Sequence, residues 1–600
     1  IRLQDQNQRE YAMRSLRKNP LKYLRFTIKG VAYNEEEYVG SMPEKLISDF
    51  FTTAHPFMQM VINPMAKAVD VNHANTKLFY VPKQQTLQGL NKEFGNELYF
   101  IEQRPSDEQL NYKGYRRAID SKGKITEFES TTDMLEKIKS DESYFVDQQS
   151  FVRARVFDML LGDWDRHQDQ WRWAEYESPD GDKEFMPVPR DRDNAFPKFD
   201  GTAVDIIQWF IPITRQWQSY GPTIENVKWL NYNGSRLDRA VLTDYDATGW
   251  EQEAKYIQNH LTEGDIDNAF SRLPEEVKDS TANYIKNSLK QRLKNLPEYA
   301  REYGAYLNKR IALHASEKDD EIKIIRLADG KTKVVMRRLL SDRKNEKFYE
   351  RTFYANETEE LWIYGLGDND NFEVLGNNKA KIKVRLIGGY GKDDFDIENR
   401  QQLKVYDWKQ EESEFEGVTP SKQLTDVYNT NTFHWRYFKP NRNILVPNFD
   451  FRTDDGFSLG VKNTFIDNGF NGNPYRQKHT LNAKYFFNFQ ATELNYQGIF
   501  ANIIPKWNFE LDGYLSSQRY AQNFFGFGNN SQNQEDEVGR DFYRARTEQI
   551  KLSAGVAYHT LRFKALFESF NVEEMGSRFF TSANFDTPIF ERQNYVGGET

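Results

Sequence analysis

Gly456-Phe457-Ser458-Leu459-Gly460-Val461-Lys462-Asn463-Thr464-Phe465 decides how the last quarter of this chain folds. Phe457, Leu459, Val461 and Phe465 fall on one parity, and Ser458, Gly460, Lys462 and Thr464 on the other. Successive side chains of a strand point to opposite faces, so the stretch is predicted as a strand with one apolar and one polar face. The pattern recurs further on. Leu481, Ala483, Tyr485 and Phe487 alternate with Thr480, Asn482, Lys484 and Phe486. Trp507, Phe509, Leu511 and Gly513 alternate with Lys506, Asn508, Glu510 and Asp512. Ile550, Leu552, Ala554, Val556 and Tyr558 make another apolar set, and Leu561, Phe563, Ala565 and Phe567 the next. Strands of about ten residues suit a tilted membrane span better than a sandwich strand. Short turns alternate with long polar loops, such as 467–478 and 528–546. Residues 441–600 are therefore predicted as the first strands of a transmembrane antiparallel β-barrel. The competing reading is a soluble antiparallel sandwich with one wet face.

The rest of the composition bounds the function. A chain of 600 residues is too long for one core and suggests roughly three or four domains. The absence of Cys rules out disulfides and thiolate metal sites. A mean hydropathy of −0.82, with no long apolar run, excludes a transmembrane helix but not a barrel, whose strands are apolar only at alternate positions. Aromatics at 15% agree with barrel girdles. The net charge of −9 gives no electrostatic reason to expect nucleic acid as a partner. The chain opens on Ile1 without a charged-then-apolar leader, which leads us to expect a mature or trimmed product. Only about six to eight strands fit before Thr600, and an open edge in lipid leaves backbone groups unpaired. The expectation is that the parent chain continues; the alternative is closure with another chain.

Asn523-Phe524-Phe525-Gly526-Phe527-Gly528-Asn529-Asn530 resembles the aromatic–Gly–aromatic–Gly–Asn signature near the fourth strand of BamA-like barrels of the surface-antigen family. That resemblance, over 441–600, implies an outer-membrane location. It also implies a role in outer-membrane protein or envelope assembly or transport, contact with outer-membrane lipid, and other envelope proteins or outer-membrane clients as partners. Segments preceding such a barrel lie in the periplasm, which has no ATP pool.

A second set of motifs lies in the first half. Phe151, Val152, Val156, Met159 and Leu160 follow helical spacing. They run into Gly162-Asp163-Trp164-Asp165-Arg166-His167-Gln168-Asp169-Gln170-Trp171, and an apolar strand and Pro189-Arg190-Asp191-Arg192-Asp193-Asn194-Ala195-Phe196 follow. Phosphoryl transfer needs a carboxylate that accepts the hydroxyl proton, plus a carboxylate and an amide that hold the metal bridging the phosphates. Asp165 and Gln170 have the Asp-to-Asn spacing of a kinase catalytic loop, and Asp191 or Asp193 falls where a metal-binding Asp belongs. The simpler reading of Asp165-Arg166-His167 is a buried ion-pair network that holds a loop, with His167 as a hydrogen-bonded structural residue.

These motifs resemble the atypical kinases of the spore-coat-H and HipA type, over about 10–315. The resemblance implies a small lobe with a helix around Phe57, Met60, Val61, Met65 and Ala68, strands at 77–83 and 97–103, and a helical large lobe over 250–315. It assigns Asp165 and Gln170 to catalysis, Asp191 and Asp193 to a Mg2+ or Mn2+ ion, and Arg14, in Tyr11-Ala12-Met13-Arg14, to the nucleotide phosphates. The departures are specific. Gln170 stands where the family has Asn, and Arg14 where it has Lys, which are not neutral replacements. The presumed partner helix has no central Glu, and no Gly-rich phosphate loop precedes it. The expectation is a kinase-like fold without kinase activity; the alternative is an envelope metal-dependent phosphotransferase or phosphohydrolase anchored by a barrel. Kinase-like, β-rich and barrel segments in this order also resemble envelope proteins that begin with a calcineurin-like metallophosphoesterase domain, whose D-x-H and G-N-H-[DE] motifs are absent here.

Between them, 316–440 is predicted as a small all-β domain, solenoid- or sandwich-like, plus linkers at 314–321 and 418–442. Gly365 to Gly389 and Gly367 to Gly391 share an offset of 24, the mark of stacked rungs or matching hairpins. Gly388 to Phe395 matches one calcium-binding turn of a β-roll. With no adjacent mate in the sequence, the turn from Gly389 to Asp393 is expected to be a plain turn rather than a Ca2+ site. The fold class predicted for the whole chain is thus multidomain: α+β kinase-like (1–315), small all-β (316–440), and the first strands of a barrel (441–600).

Overall fold

A computed structural model describes residues 1–16, 53–106, 125–179, 181–200, 204, 208, 211–339, 343, 345–470, 474–504, 506–525, 533–573, 577–579 and 593–599. Contacts gather the chain into two units, Ile1–Trp435 and Arg436–Thr600. Gly526 to Asn530 of the aromatic–glycine signature lie outside the described residues.

In the first unit, β1 (Arg2–Gln4), β2 (Glu10–Ser15), β3 (Lys77–Val81) and β4 (Glu97–Gln103) form an antiparallel sheet in the order β1-β2-β4-β3. Helix α1 (Gln59–Ala68) buries Val61, Ile62, Met65 and Ala66, one stripe at helical spacing. A second sheet, in the order β5-β7-β8-β6, contains β5 (Ile125–Glu129), β6 (Tyr144–Val146), β7 (Trp171–Glu177) and β8 (Lys183–Pro189). Helix α2 (Thr131–Ser140) is capped by Ser130, whose side chain accepts from the Asp133 N–H.

Helix α3 (Gln148–Leu161) is buried along its whole run from Phe151 to Leu161, charged side chains included. It ends at Gly162, φ 70°, where a Cβ would press on the Tyr220 ring and the Arg292 guanidinium. Helices α4 (Ala247–His260), α5 (Glu263–Ser271) and α6 (Ser280–Asn308) close this core with Trp250, Ile257, Leu289, Leu296 and Tyr303. The helical span was expected to reach residue 315; it stops at Asn308, because Arg310–His314 joins a sheet as a strand.

That strand starts a two-faced stack of rungs. One sheet, all parallel, contains β9 (Arg310–His314), β13 (Glu360–Leu366), β15 (Lys383–Gly389), β17 (Leu403–Asp407) and β19 (Ser421–Leu424). The other has parallel β10 (Asp320–Arg326), β14 (Asn371–Leu375), β16 (Asp394–Ile397) and β18 (Glu414–Gly417). It is extended antiparallel by β11 (Thr332–Arg338) and β12 (Lys347–Phe353). The core is a set of like residues in register. Ile311, Leu361, Val384 and Leu403 form one ladder, and Leu313, Ile363, Leu386 and Val405 another. Phe372, Phe395 and Phe415 stack ring on ring, 4.8 and 4.9 Å apart.

Of the two forms expected for the repeat, rungs are the one present. The register offset is 23 rather than 24: Gly365 lies opposite Gly388 between the Tyr364–Ile387 and Leu366–Gly389 pairs. The turn ending at Asp393 does have a neighbour, since the Asp370 N–H donates to Asp393 Oδ1 at 2.9 Å. Both expected linkers are structured in part. Residues 314–321 carry the chain from one sheet of the stack to the other through buried Asp320, and 418–442 includes β19.

In the second unit, β20 (Arg442–Arg452), β21 (Gly456–Asp467), β22 (Gln477–Phe486), β23 (Ala491–Ile504), β24 (Trp507–Ser516), β26 (Arg544–Tyr558), β27 (Leu561–Val572) and β28 (Gln593–Glu599) form one antiparallel sheet. β25 (Ala521–Asn523) pairs with β26. The predicted parity holds in three dimensions. Phe449, Leu459 and Tyr485 are directly opposed across three strands, as are Leu552 with Phe567 and Val556 with Phe563. These apolar side chains are exposed: Phe449 by 60%, Leu459 by 47%, Leu552 by 53% and Phe563 by 50%. The opposite face is polar and internally paired. Lys564 Nζ lies 2.9 Å from Glu510 and 2.7 Å from Asp512, and Asn448 donates to Asn482 at 2.8 Å. Among the described residues, no pairing joins β20 to β28.

Candidate functional site

The loop after α3 is held by a carboxylate that the helix presents inward. Asp158 is fully buried, its Oδ2 accepts from Arg166 Nε at 3.0 Å, and its Oδ1 from Arg192 Nε at 2.9 Å. One carboxylate thus ties the loop containing Asp165 to the segment containing Asp191 and Asp193. Arg166 also donates to the Arg190 carbonyl at 2.7 Å. Burial pushes the Asp158 carboxyl up, and Arg166, Arg192 and Arg155 together pull it below its ordinary value. Arg155 in turn binds Asp238 at 2.8 Å and Asn231 at 2.9 Å.

Asp165 sits at the rim of this network. Its Oδ1 accepts from Asn233 Nδ2 at 3.1 Å, and its Oδ2 lies 3.4 Å from Asn194 Nδ2. His167 Nε2 is 3.9 Å away. Burial raises the Asp165 carboxyl, with the nearby charge of Asp193 adding to the effect. Beneath it, Asp163 Oδ1 accepts the Asp165 N–H at 3.3 Å. Burial, with Asp158 and Asp165 close by, pushes Asp163 up to about 7. Gln170 does not reach Asp165 in this arrangement; its Nε2 lies 3.4 Å from His167 Nε2. Asn194 and Asn233 supply the amides instead.

Arg14, on β2, donates to Asp191 Oδ2 at 2.8 Å and lies 3.4 Å from Glu102 on β4. Asp191 adopts φ 49°, a left-handed conformation that Asp tolerates better than most residues. Burial pushes Glu102 up to about 7, with Asp191 and Asp193 reinforcing it against Arg14. The space bounded by Asn63, His73, Glu102, Arg190 and Asp191 is about 20 Å³, room for about one water molecule.

The five residues named from the sequence therefore fall into two groups: Asp165 with Asp193, and Arg14 with Asp191, while Gln170 faces His167. Asp165 and Asp193 offer hard oxygen donors of the kind Mg2+ takes, whereas an Asp191 oxygen is engaged by Arg14. Three residues escaped the sequence reading. Asn194 adjoins a motif residue and was legible as a second amide; Asn233 and Glu102 reach the site from distant segments and carried no local signal.

A second carboxylate cluster, Glu127, Glu129 and Glu175, already surrounds a cation. Lys137 Nζ contacts Glu129 and lies 3.0 Å from Glu127 and 2.8 Å from Glu175.

No family model matches the chain, and no curated protein matches it. Among solved structures, the chain has a likeness to a Helicobacter pylori proinflammatory kinase, CtkA. The two are 13% identical, with a TM-score of 0.23, over 42% of this chain and 83% of that one.

Proposed function

We propose that this chain is an outer-membrane β-barrel protein of the BamA-like class. In this reading the rung-and-helix unit is a periplasmic accessory part, and the protein acts in outer-membrane protein or envelope assembly or transport. The observation that carries the reading is the exposed apolar face of the second unit. A soluble sheet would bury Phe449, Leu459, Leu552 and Phe563 and expose Lys564, Glu510 and Asp512; here the apolar set is exposed and the polar set is paired. Lipid is the solvent in which that polarity is favourable. The full-length chain is expected to partition into phosphatidylcholine vesicles and to resist carbonate extraction. Leu459→Arg and Phe563→Arg each place a charge on the apolar face, at about 2–4 kcal/mol near the bilayer midplane, and are expected to reduce insertion sharply. A wild-type chain that stays in the aqueous phase without detergent sinks the reading.

The kinase-like site supports a binding or scaffolding role more than catalysis. Arg14 closes on Asp191 and Glu102, leaving about 20 Å³ where nucleotide phosphates would sit. Calorimetry of the full chain with ATP is expected to show no heat that depends on Mg2+. One observation favours the alternative phosphotransferase reading: the Asn194 amide lies between Asp165 and Asp193, and the Asn233 amide donates to Asp165. A saturable Mg2+-dependent heat, lost in Asp193→Asn, would select it.

A further inference from the structure

We infer that Arg172 and Arg190, with Arg104 and Arg14 beside them, form a binding site for a phosphate-class oxyanion. The register of the β7–β8 hairpin sets the pair. Arg172 lies opposite Val188, and Arg190 is two residues beyond Val188. The two side chains therefore leave the same face as diagonal neighbours, with backbones about 7–8 Å apart. The Arg190 backbone is fixed on both sides. Its N–H donates to the Gln170 carbonyl at 2.8 Å, and its carbonyl accepts from buried Arg166.

The neighbouring guanidiniums already have carboxylates. Arg14 has Asp191 and Glu102, Arg104 has Glu10, and Arg166 and Arg192 share Asp158. Among the described residues, Arg172 and Arg190 have none in contact, and the guanidinium of Arg172 meets only the Trp171 carbonyl, at 3.4 Å. Both are half-buried. Burial holds both below their ordinary basicity; Arg104 and Arg2 add to this at Arg172 against the opposing charges of Asp169 and Asp133, and Arg172, Arg14 and Arg104 add to it at Arg190 against Asp191. Two partly desolvated cations on one face, each surrounded by further arginines, are stabilised by an anion that accepts from both. A tetrahedral dianion has oxygens for two guanidinium forks at once, and a single carboxylate does not. The site uses neither Asp165 nor Asp193, so it does not depend on metal-dependent catalysis, although Arg190 also borders the small space beside Asp191.

The test is titration of the full chain with inorganic phosphate and with pyrophosphate at constant ionic strength, read by tryptophan fluorescence and by melting temperature. Acetate serves as the control. Saturable phosphate or pyrophosphate binding is expected, weakened at least 10-fold in Arg190→Gln and in Arg172→Gln and partly restored in Arg190→Lys. Phosphate is also expected to raise the wild-type melting temperature where acetate does not, a readout that needs no variant to fold. No saturable binding, an equal response to acetate, or binding unchanged in both glutamine variants overturns the proposal.

Discussion

Asp158→Ala is expected to be the most destabilising single substitution in the first unit, and to unfold it at ambient temperature. Asp158 is fully buried and holds Arg166 at 3.0 Å and Arg192 at 2.9 Å, with Arg155 at 3.5 Å. Removing one partner of a buried pair costs about 3–5 kcal/mol, because the other charge stays buried without compensation. Here one deletion strands the Arg192 guanidinium and leaves Arg166 with Asp163, at 3.6 Å, as its remaining carboxylate, and total stabilities run only to about 5–15 kcal/mol. The loop and the segment 190–196 also lose their common anchor. Asp165→Ala is the contrasting case. Asp165 is part-exposed and lies near Asp193, so its removal relieves a like-charge contact and is expected to shift stability by under about 1 kcal/mol. Urea denaturation of both variants, followed by circular dichroism, checks the pair. Equal midpoints for the two would overturn the view that Asp158, rather than Asp165, holds the loop.

That contrast also shows what the sequence made legible. The spacing of Asp165, Asp191 and Asp193 pointed to one region, and it also suggested a buried ion-pair network as the simpler reading. Arg166 on Asp158 is such a network. Asp158 itself was hidden: it lies inside an apolar helical stripe, and one buried carboxylate cannot be told from a surface one by periodicity. Glu102 was hidden for another reason. The partner of Arg14 was sought on a helix, and it comes from the neighbouring strand. Strand parity in 441–600 was legible because exposure alternates with a period of two wherever one face is apolar. The rungs of the middle segment were half legible. Glycines mark the repeat, but rung length varies. Leu361 pairs with Val384, and Val384 with Leu403, so offsets measured between glycines slip against the register.

The stability of the rung stack is expected to fall as pH rises from about 4 to about 8. Asp320, Asp370, Asp393 and Asp407 lie at successive turns, all fully or almost fully buried. The Asp320 N–H donates to Asp370 Oδ1 at 2.8 Å, and the Asp370 N–H to Asp393 Oδ1 at 2.9 Å. Among the described residues, one oxygen of each carboxyl has no hydrogen-bond partner, and no lysine or arginine pairs with any of the four. Burial pushes Asp320 to about 7, Asp393 to about 8 and Asp407 to about 6, and Asp370 well above its ordinary value. The charged groups facing them add to the shift. Glu142 and Asp319 do so from outside the column and Glu411 and Asp394 from the turns; within the column, Asp393 and Asp320 act on Asp370, and Asp407 on Asp393.

The sign follows directly. The folded state keeps protons that the unfolded chain releases near pH 4, so stability is fully present below that pH and is lost as pH rises through the folded values. Glu102 and Asp163, each at about 7, add a slope of the same sign. Asp393→Asn separates the column from them. It keeps the acceptor for the Asp370 N–H and removes the charge, so it is expected to be more stable than wild type by about 1–3 kcal/mol at pH 8 and nearly equal to it at pH 4. Urea midpoints at both pH values decide the matter, and a wild-type midpoint that rises with pH contradicts the prediction. The same carboxyls account for the glycines that mark the repeat. A Cβ on Gly365 would overlap Asp370 Oδ2, and a Cβ on Gly388 would overlap Asp393 Oδ2. Gly388→Ala therefore displaces the carboxyl that Asp393→Asn leaves in place, and is expected to destabilise the stack at pH 4 and pH 8 alike.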